Sequence, residues 1–249
     1  MNNLNLIFNK LYYKDINQSN FKTINDEIFN TKFDADNDYC DAGLLRNITG
    51  FKSFKLQTDY PGLLVGIGNP HGFVLNANDD IKNGFSFDYV TGQPYIPGSS
   101  VKGILRNKFI FSEEFVRGMV CEVLDKETFS VFDLRDLEKE IFDDNDVFFD
   151  AVVFKGDKSG KIVGADFITP HKDELKEPTP LKILRIIPDV VFEFRFILHD
   201  GLLSADQKCE LFKSLLICFG AGAKTNTGYG ILKEYNCDNI DLEEGTNES

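Results

Sequence analysis

The sequence predicts an α+β fold: a ferredoxin-like (RRM-like) βαββαβ core carrying insertions. Three observations support it. Phe51–Leu56 and Val190–Leu198 alternate apolar and polar residues, as strands with unlike faces do. Ser204-Ala205-Asp206-Gln207 opens a helix, because a serine hydroxyl and a glutamine three residues on can satisfy each other's orphan amides. With insertions set aside, the elements run strand, helix, strand, strand, helix, strand.

Leu4, Ile7, Phe8, Leu11 and Tyr12 recur at helical spacing and predict an amphipathic N-terminal helix. Asp34–Asp41 reads as an acidic loop. After Phe51–Leu56, the Tyr60-Pro61-Gly62 turn leads into an extended Leu63-Leu64-Val65. Pro97 keeps Ile96 out of helical geometry, Gly98 permits a tight turn, and Ser99 or Ser100 can cap a helix over about 100–117 whose apolar side is Val101, Ile104 and Leu105. An acidic, helical insertion follows to about Asp144. Val147–Phe154 reads as a strand, Lys155–Gly160 as a polar turn, Ile162–Ile168 as extended and Leu175–Pro180 as a proline-bearing loop. In the last helix Phe212, Leu215, Leu216 and Phe219 form the apolar stripe. Gly220 stands where a left-handed cap belongs, and Tyr229–Tyr235 is the final strand. The organisation is therefore 1–50 as a helical and acidic extension, 51–235 as the core domain with insertions near 119–146 and 155–180, and 236–249 as an acidic tail.

Two glycine-centred turns carry the chemistry. The Gly98, Ser99 and Ser100 helix start places hydroxyls and backbone N–H groups where an anion could bind, with Lys102 and Arg106 one helical turn apart on one face. The second, Gly220-Ala221-Gly222-Ala223-Lys224-Thr225-Asn226-Thr227-Gly228-Tyr229-Gly230, again combines small residues, hydroxyls and one lysine. It is not a nucleotide-binding P-loop. Ala223 precedes the lysine, Cys218 takes the leading glycine's place, and the loop follows a helix instead of a strand. Each turn also has a plainer reading, as a capped helix or a structural turn.

Composition bounds the rest. The chain has 249 residues, 42% of them hydrophobic, which suffices for a sizeable core. No apolar run approaches the roughly 18 residues of a membrane span, so a cytoplasmic protein without membrane attachment is expected. Cys40, Cys121, Cys209, Cys218 and Cys237 form no C-x-x-C pair and are expected as free thiols. The histidines His71, His171 and His199 are scattered, so neither a metal site nor a cofactor is expected. The net charge of −13 opposes nucleic-acid binding only on average. Residues 122–150 hold eleven acids against three bases and residues 234–249 hold six acids and no base, which leaves +1 for the remainder. The chain lacks the aromatic sheet signature of RNA-recognition motifs, so RNA contact would run through loops.

Leu64-Val65-Gly66-Ile67-Gly68, the Gly92–Gly103 run, Phe149-Asp150-Ala151, Asp166-Phe167-Ile168-Thr169-Pro170-His171, Pro178-Thr179-Pro180 and the Gly220–Gly230 loop follow one another in an order that resembles the RAMP superfamily. The combination is most similar to the subunit lying toward the guide-RNA 3′ end in type III-B (Cmr) CRISPR effectors. This resemblance implies a RAMP fold and a non-catalytic backbone subunit. It also implies guide RNA (crRNA), target RNA, other RAMP subunits and the small subunits as partners. RNA phosphates would be gripped by Gly98, Ser99, Ser100, Lys102 and Arg106, by Gly220, Gly222, Lys224, Thr225, Asn226, Thr227 and Gly228, and by His171. A β-hairpin thumb in related subunits wedges into the guide–target duplex, and 155–180 is its candidate here. Asp36, Asp38 and Asp41 are loop acids with no match to the catalytic aspartate of neighbouring subunits.

Three alternatives stand beside this reading: a metal-independent RAMP endoribonuclease, the corresponding subunit of a type III-A (Csm) complex, and a protein-docking module. The docking module would use Phe129, Val131, Phe132, Leu134, Leu137 and Ile141 of the acidic segment.

Overall fold

The computed structural model describes residues 3–14, 21–33, 42–68, 80–123, 133–144, 146–169 and 180–236. Mixed helix and antiparallel sheet form the body. The strands are β1 (Phe51–Thr58), β2 (Tyr95–Ile96), β3 (Val147–Phe148), β4 (Ala151–Lys155), β5 (Val163–Ile168), β6 (Leu181–Ile186), β7 (Val191–Ile197) and β8 (Leu232–Glu234). The helices are α1 (Leu4–Asn9), α2 (Phe21–Asn30), α3 (Ala42–Leu45), α4 (Gly98–Phe111), α5 (Glu113–Val123), α6 (Leu134–Lys139) and α7 (Ala205–Phe219).

The main sheet has the order β2-β4-β7-β1-β8, with β3 also paired to β7, and every pairing is antiparallel. β7 is central, as its alternation predicts. Phe192, Phe194 and Phe196 leave one face. There Phe196 meets Phe212 of α7 at 5.4 Å between ring centroids, and Phe194 stacks on Phe54 of β1. Glu193 and Arg195 leave the other face, yet they too are buried. α7 begins with the expected capping box between Ser204 and Gln207. Its Lys208 ammonium is buried but fully engaged, bonding Asp146, Glu140 and the carbonyl of His199.

Several elements differ from the sequence reading. The expected helix over 100–117 is two helices, because Ser112 leaves helical geometry (φ −135°, ψ 38°) and two acids then open α5. The expected strand Val147–Phe154 is split at Phe149–Asp150, where the Asp150 carboxylate turns aside to accept the Gly98 N–H at 2.7 Å. β6 is a strand that no sequence pattern announced. It pairs with β5 along its whole length, so the hairpin is displaced from 155–180 to 163–186. Gly220 does have a positive φ (72°), but its ψ of −176° is not that of a left-handed cap.

α1 is capped by Asn3, whose side chain accepts the Leu6 N–H, and its Leu4, Ile7 and Phe8 join the core cluster of the sheet. The N-terminal helices therefore pack as part of the body. Leu11 is partly exposed, because the chain tightens to a 3₁₀ turn over Leu11–Tyr13. In the acidic insertion Leu134, Leu137 and Ile141 are buried in that same core, which removes them from a docking face. Phe129, Val131 and Phe132 lie outside the described residues.

Candidate nucleic-acid interface

The tertiary structure brings the two glycine-centred turns together. A groove of about 540 Å³ runs between them. One wall is the start of α4, with Pro97, Ser100, Gly103 and Asn107. The facing wall is Gly222 and Ala223 of the glycine-rich loop, and between them lies the extended segment Leu64–Gly68.

Backbone geometry builds the loop wall. Gly220, Gly222, Gly228 and Gly230 all have positive φ, and so does Lys224 (φ 59°). Gly222 is held by close approach: a Cβ there would stand 2.4 Å from the Leu64 carbonyl oxygen. The Ala223 N–H donates to that same oxygen at 2.9 Å, and the Gly230 N–H donates to the Gly62 carbonyl at 2.7 Å. These bonds stitch the loop to the segment before Leu64. They leave the N–H groups of Gly222, Lys224, Thr225 and Asn226 without a protein partner among the described residues, on an exposed run that begins with a left-handed residue and continues as the 3₁₀ turn Thr225–Thr227. Consecutive free amides of this kind form an anion-binding concavity. The exposed Lys224 ammonium adds charge beside it.

The α4 wall departs from expectation in three ways. The helix starts at Gly98, and no serine hydroxyl caps it. Asp150 takes the Gly98 N–H instead, so one helix-start donor is already spent on a carboxylate. Ser99 and Ser100 are exposed, and Ser100 faces the groove. Arg106 is engaged within the fold. Its Nε donates to Glu138 at 2.7 Å and its two terminal nitrogens grip Asp143 at 2.8 and 3.0 Å, so it braces the acidic insertion against α4. Lys102 does not share that engagement and sits 5.7 Å from the Phe148 ring centroid.

His171, like His71, lies outside the described residues, as do Asp36, Asp38 and Asp41 and the cysteines Cys40 and Cys237. His199 donates its backbone N–H to Asp146 and places Nδ1 3.5 Å from the same carboxylate oxygen. Cys121, Cys209 and Cys218 are free thiols, and burial pushes Cys209 up to about 11, away from the reactive thiolate. Among the described residues no group of three or more His, Cys, Asp or Glu side chains is placed to hold a metal ion, and no helix is long and apolar enough to cross a membrane.

The β5–β6 hairpin is rooted at this groove. Leu63 exchanges both backbone bonds with Ile186, and Leu64, Ile183 and Tyr229 form a small apolar cluster. Tyr229 donates its hydroxyl to Asp166 at 2.8 Å, and Arg185 pairs with the same carboxylate at 3.2 Å. Sequence reasoning missed the Leu64–Gly68 wall as part of the site, although two glycines in five residues were a usable signal. It also missed the capping role of Asp150, which only contact over 52 residues creates.

An antiparallel sheet with a groove between the start of a helix and a glycine-rich loop is the frame in which the family match falls: residues 55–233 match the RAMP superfamily, and the chain belongs to it. Among curated relatives it is 27% identical to the CRISPR system CMR subunit Cmr6 of Saccharolobus solfataricus over 68% of this chain and 53% of that protein. It is likewise 27% identical to Cmr6 of Pyrococcus furiosus, over 80% of this chain and 71% of that one. The chain thus spans about half the length of the first relative. Among solved structures, a chain in a type III-B Cmr-β complex bound to cognate target RNA shares the fold, with a TM-score of 0.63 at 21% identity over 87% of this chain and 71% of that chain.

Proposed function

We propose that this chain is a non-catalytic backbone subunit of a type III-B CRISPR ribonucleoprotein, holding guide RNA, and the guide–target duplex, toward the guide 3′ end. The observation that carries this is the groove. Gly222 and Ala223 of the glycine-rich loop face the start of α4 across it, more than a hundred residues apart in sequence, and the run of free amides with Lys224 continues directly from that wall. The similarity to two Cmr6 proteins supports the type III-B assignment. On this reading other RAMP subunits, small subunits, guide RNA and target RNA are the partners, in a cytoplasmic complex. The body is read as ferredoxin-like: β1, α4, β4, β7, α7 and β8 follow in chain order while the sheet runs β8-β1-β7-β4. The β5–β6 hairpin is the thumb, anchored by Tyr229 and Asp166 to the loop that grips the strand. Phosphate contacts of this kind position RNA without reading its sequence.

The test separates shape from charge, in the complex assembled from its purified subunits. Gly222→Val meets both a φ of +81° and the Leu64 carbonyl, so RNA retention falls at least ten-fold. Lys224→Ala leaves the fold intact and lowers the log–log salt slope of RNA binding by about one. Parental binding by both variants at every salt concentration overturns the reading. A nuclease reading would rest on His199 beside Asp146. Guide precursor and target incubated with the chain are expected to stay uncut, and cleavage lost in His199→Ala would replace the scaffold with an enzyme.

A further inference from the structure

A second concavity, of about 290 Å³, lies across β2 from the groove. Successive strand residues leave opposite faces. Ile96 lines the groove and Tyr95 lines this pocket. Its walls are largely apolar, with Phe33, Tyr95, Phe149 and Val152 among them, and Arg195 of β7 also lines it. The Arg195 side chain is 4% exposed, and among the described residues its Nε has no hydrogen-bond partner and its one charged contact is Glu193 at 3.8 Å. A guanidinium carries five donors in a rigid fork, and burying it without acceptors is strongly unfavourable. This arginine is a donor set built into the pocket.

The charge around it selects the ligand. Asp88 and Asp150 line the same pocket and Glu193 lies beside Arg195. Two lining carboxylates against one lining guanidinium, with Glu193 shared between Arg195 and Arg46, oppose phosphate or any carboxylate ligand. Asp88 Oδ1 accepts from the N–H groups of Val90 and Thr91 and from the Thr91 hydroxyl, and its second oxygen has no partner among the described residues. Asp150 uses Oδ1 for Gly98, and its second oxygen has no partner among the described residues. The pocket therefore offers a fork of donors, open carboxylate oxygens of Asp88 and Asp150, and apolar faces. A neutral planar ring with two acceptors on one edge and donors on the next matches all three. Guanine is the base with that pattern: O6 and N7 accept bidentately from arginine, and N1–H and the exocyclic amine donate to a carboxylate. Adenine would set its amine against the guanidinium, donor to donor. Unstacked bases in RNA are commonly held between aromatic and apolar side chains.

We propose that this pocket binds an unstacked guanine base. The proposal goes beyond the phosphate groove and shares no lining residue with it. Guanosine and adenosine, which carry no phosphate, would be titrated into the purified full-length chain and followed by saturation-transfer NMR. Saturable guanosine binding at least ten-fold tighter than adenosine is expected. Arg195→Lys, which keeps charge but loses the fork, removes that preference, and Val152→Phe fills the pocket from its wall and weakens guanosine at least ten-fold, with folding followed by circular dichroism. Lys224→Ala leaves guanosine binding unchanged. Equal binding of the two nucleosides, absence of binding, or full guanosine binding by folded Val152→Phe overturns the proposal. Loss of assembly with purified partner subunits in Val152→Phe, without nucleoside binding by the parent, assigns the pocket to a protein side chain and also overturns it. Guanosine binding alongside unaltered RNA binding by Lys224→Ala and Gly222→Val sinks the groove and leaves the pocket standing.

Discussion

Tyr229 shows how much one hydroxyl can organise. It closes the glycine-rich loop, and its bond to Asp166 is what joins that loop to the β5–β6 hairpin. Burial, and then donation to Asp166, push the phenol up to about 12 from an ordinary value of 10. A raised folded-state value favours the neutral form in the fold. The resulting stabilisation is complete below pH 10 and is lost as pH rises from about 10 to about 12. Tyr229→Phe should therefore cost about 1 kcal/mol at neutral pH. It should also flatten the alkaline fall of stability in that window, as followed by urea unfolding across a pH series. An unchanged alkaline limb would place the hairpin's attachment elsewhere. None of this was legible in the sequence, where Tyr229 is one aromatic among glycines and Asp166 stands 63 residues away.

Among the elements, α7 was legible almost to the residue and α4 was not, for a physical reason. The cap of α7 is local: Ser204 and Gln207 supply it from within one turn. The cap of α4 is tertiary, since Asp150 reaches the Gly98 N–H across the sheet edge and the close approach of Gly98 to the Phe148 carbonyl makes room for it. Asp150→Ala should cost about 1 kcal/mol and Asp150→Asn distinctly less, because the amide oxygen still accepts. Thermal unfolding of both variants checks it, and equal losses would deny the carboxylate its capping role. The missed β6 has a similar origin. Leu181–Ile186 pairs along its length with β5 and meets Leu63 at Ile186, and periodicity in a six-residue, half-covered strand is too weak to announce either partner.

At the scale of the whole molecule, the acidity is managed inside the fold. The described part of the acidic insertion, residues 133–144, packs against the body. α6 packs in the core through Leu134 and Leu137, and its Glu138, with Asp143 just beyond it, holds Arg106. Arg106→Ala should consequently leave the salt dependence of RNA binding unchanged in the assembled complex, whereas Lys224→Ala lowers it. Filter binding over a salt series reads both. A reduced slope in Arg106→Ala would mean that the ion pairs exchange for phosphate on binding.

Local chemistry in the sequence determined the helix starts that cap themselves, the central alternating strand, the glycine-rich turns and the order of core elements. Those features depend on residues a few positions apart, and short spacing is what a sequence displays directly. Tertiary structure alone decided that the two cradles face one groove, that Leu64–Gly68 completes its wall, that Arg106 belongs to the acidic insertion, and that Arg195 is buried at a pocket. Each of these rests on contacts between residues brought together from distant parts of the chain, and no local pattern records which carboxylate or carbonyl the folded chain will deliver to a given donor.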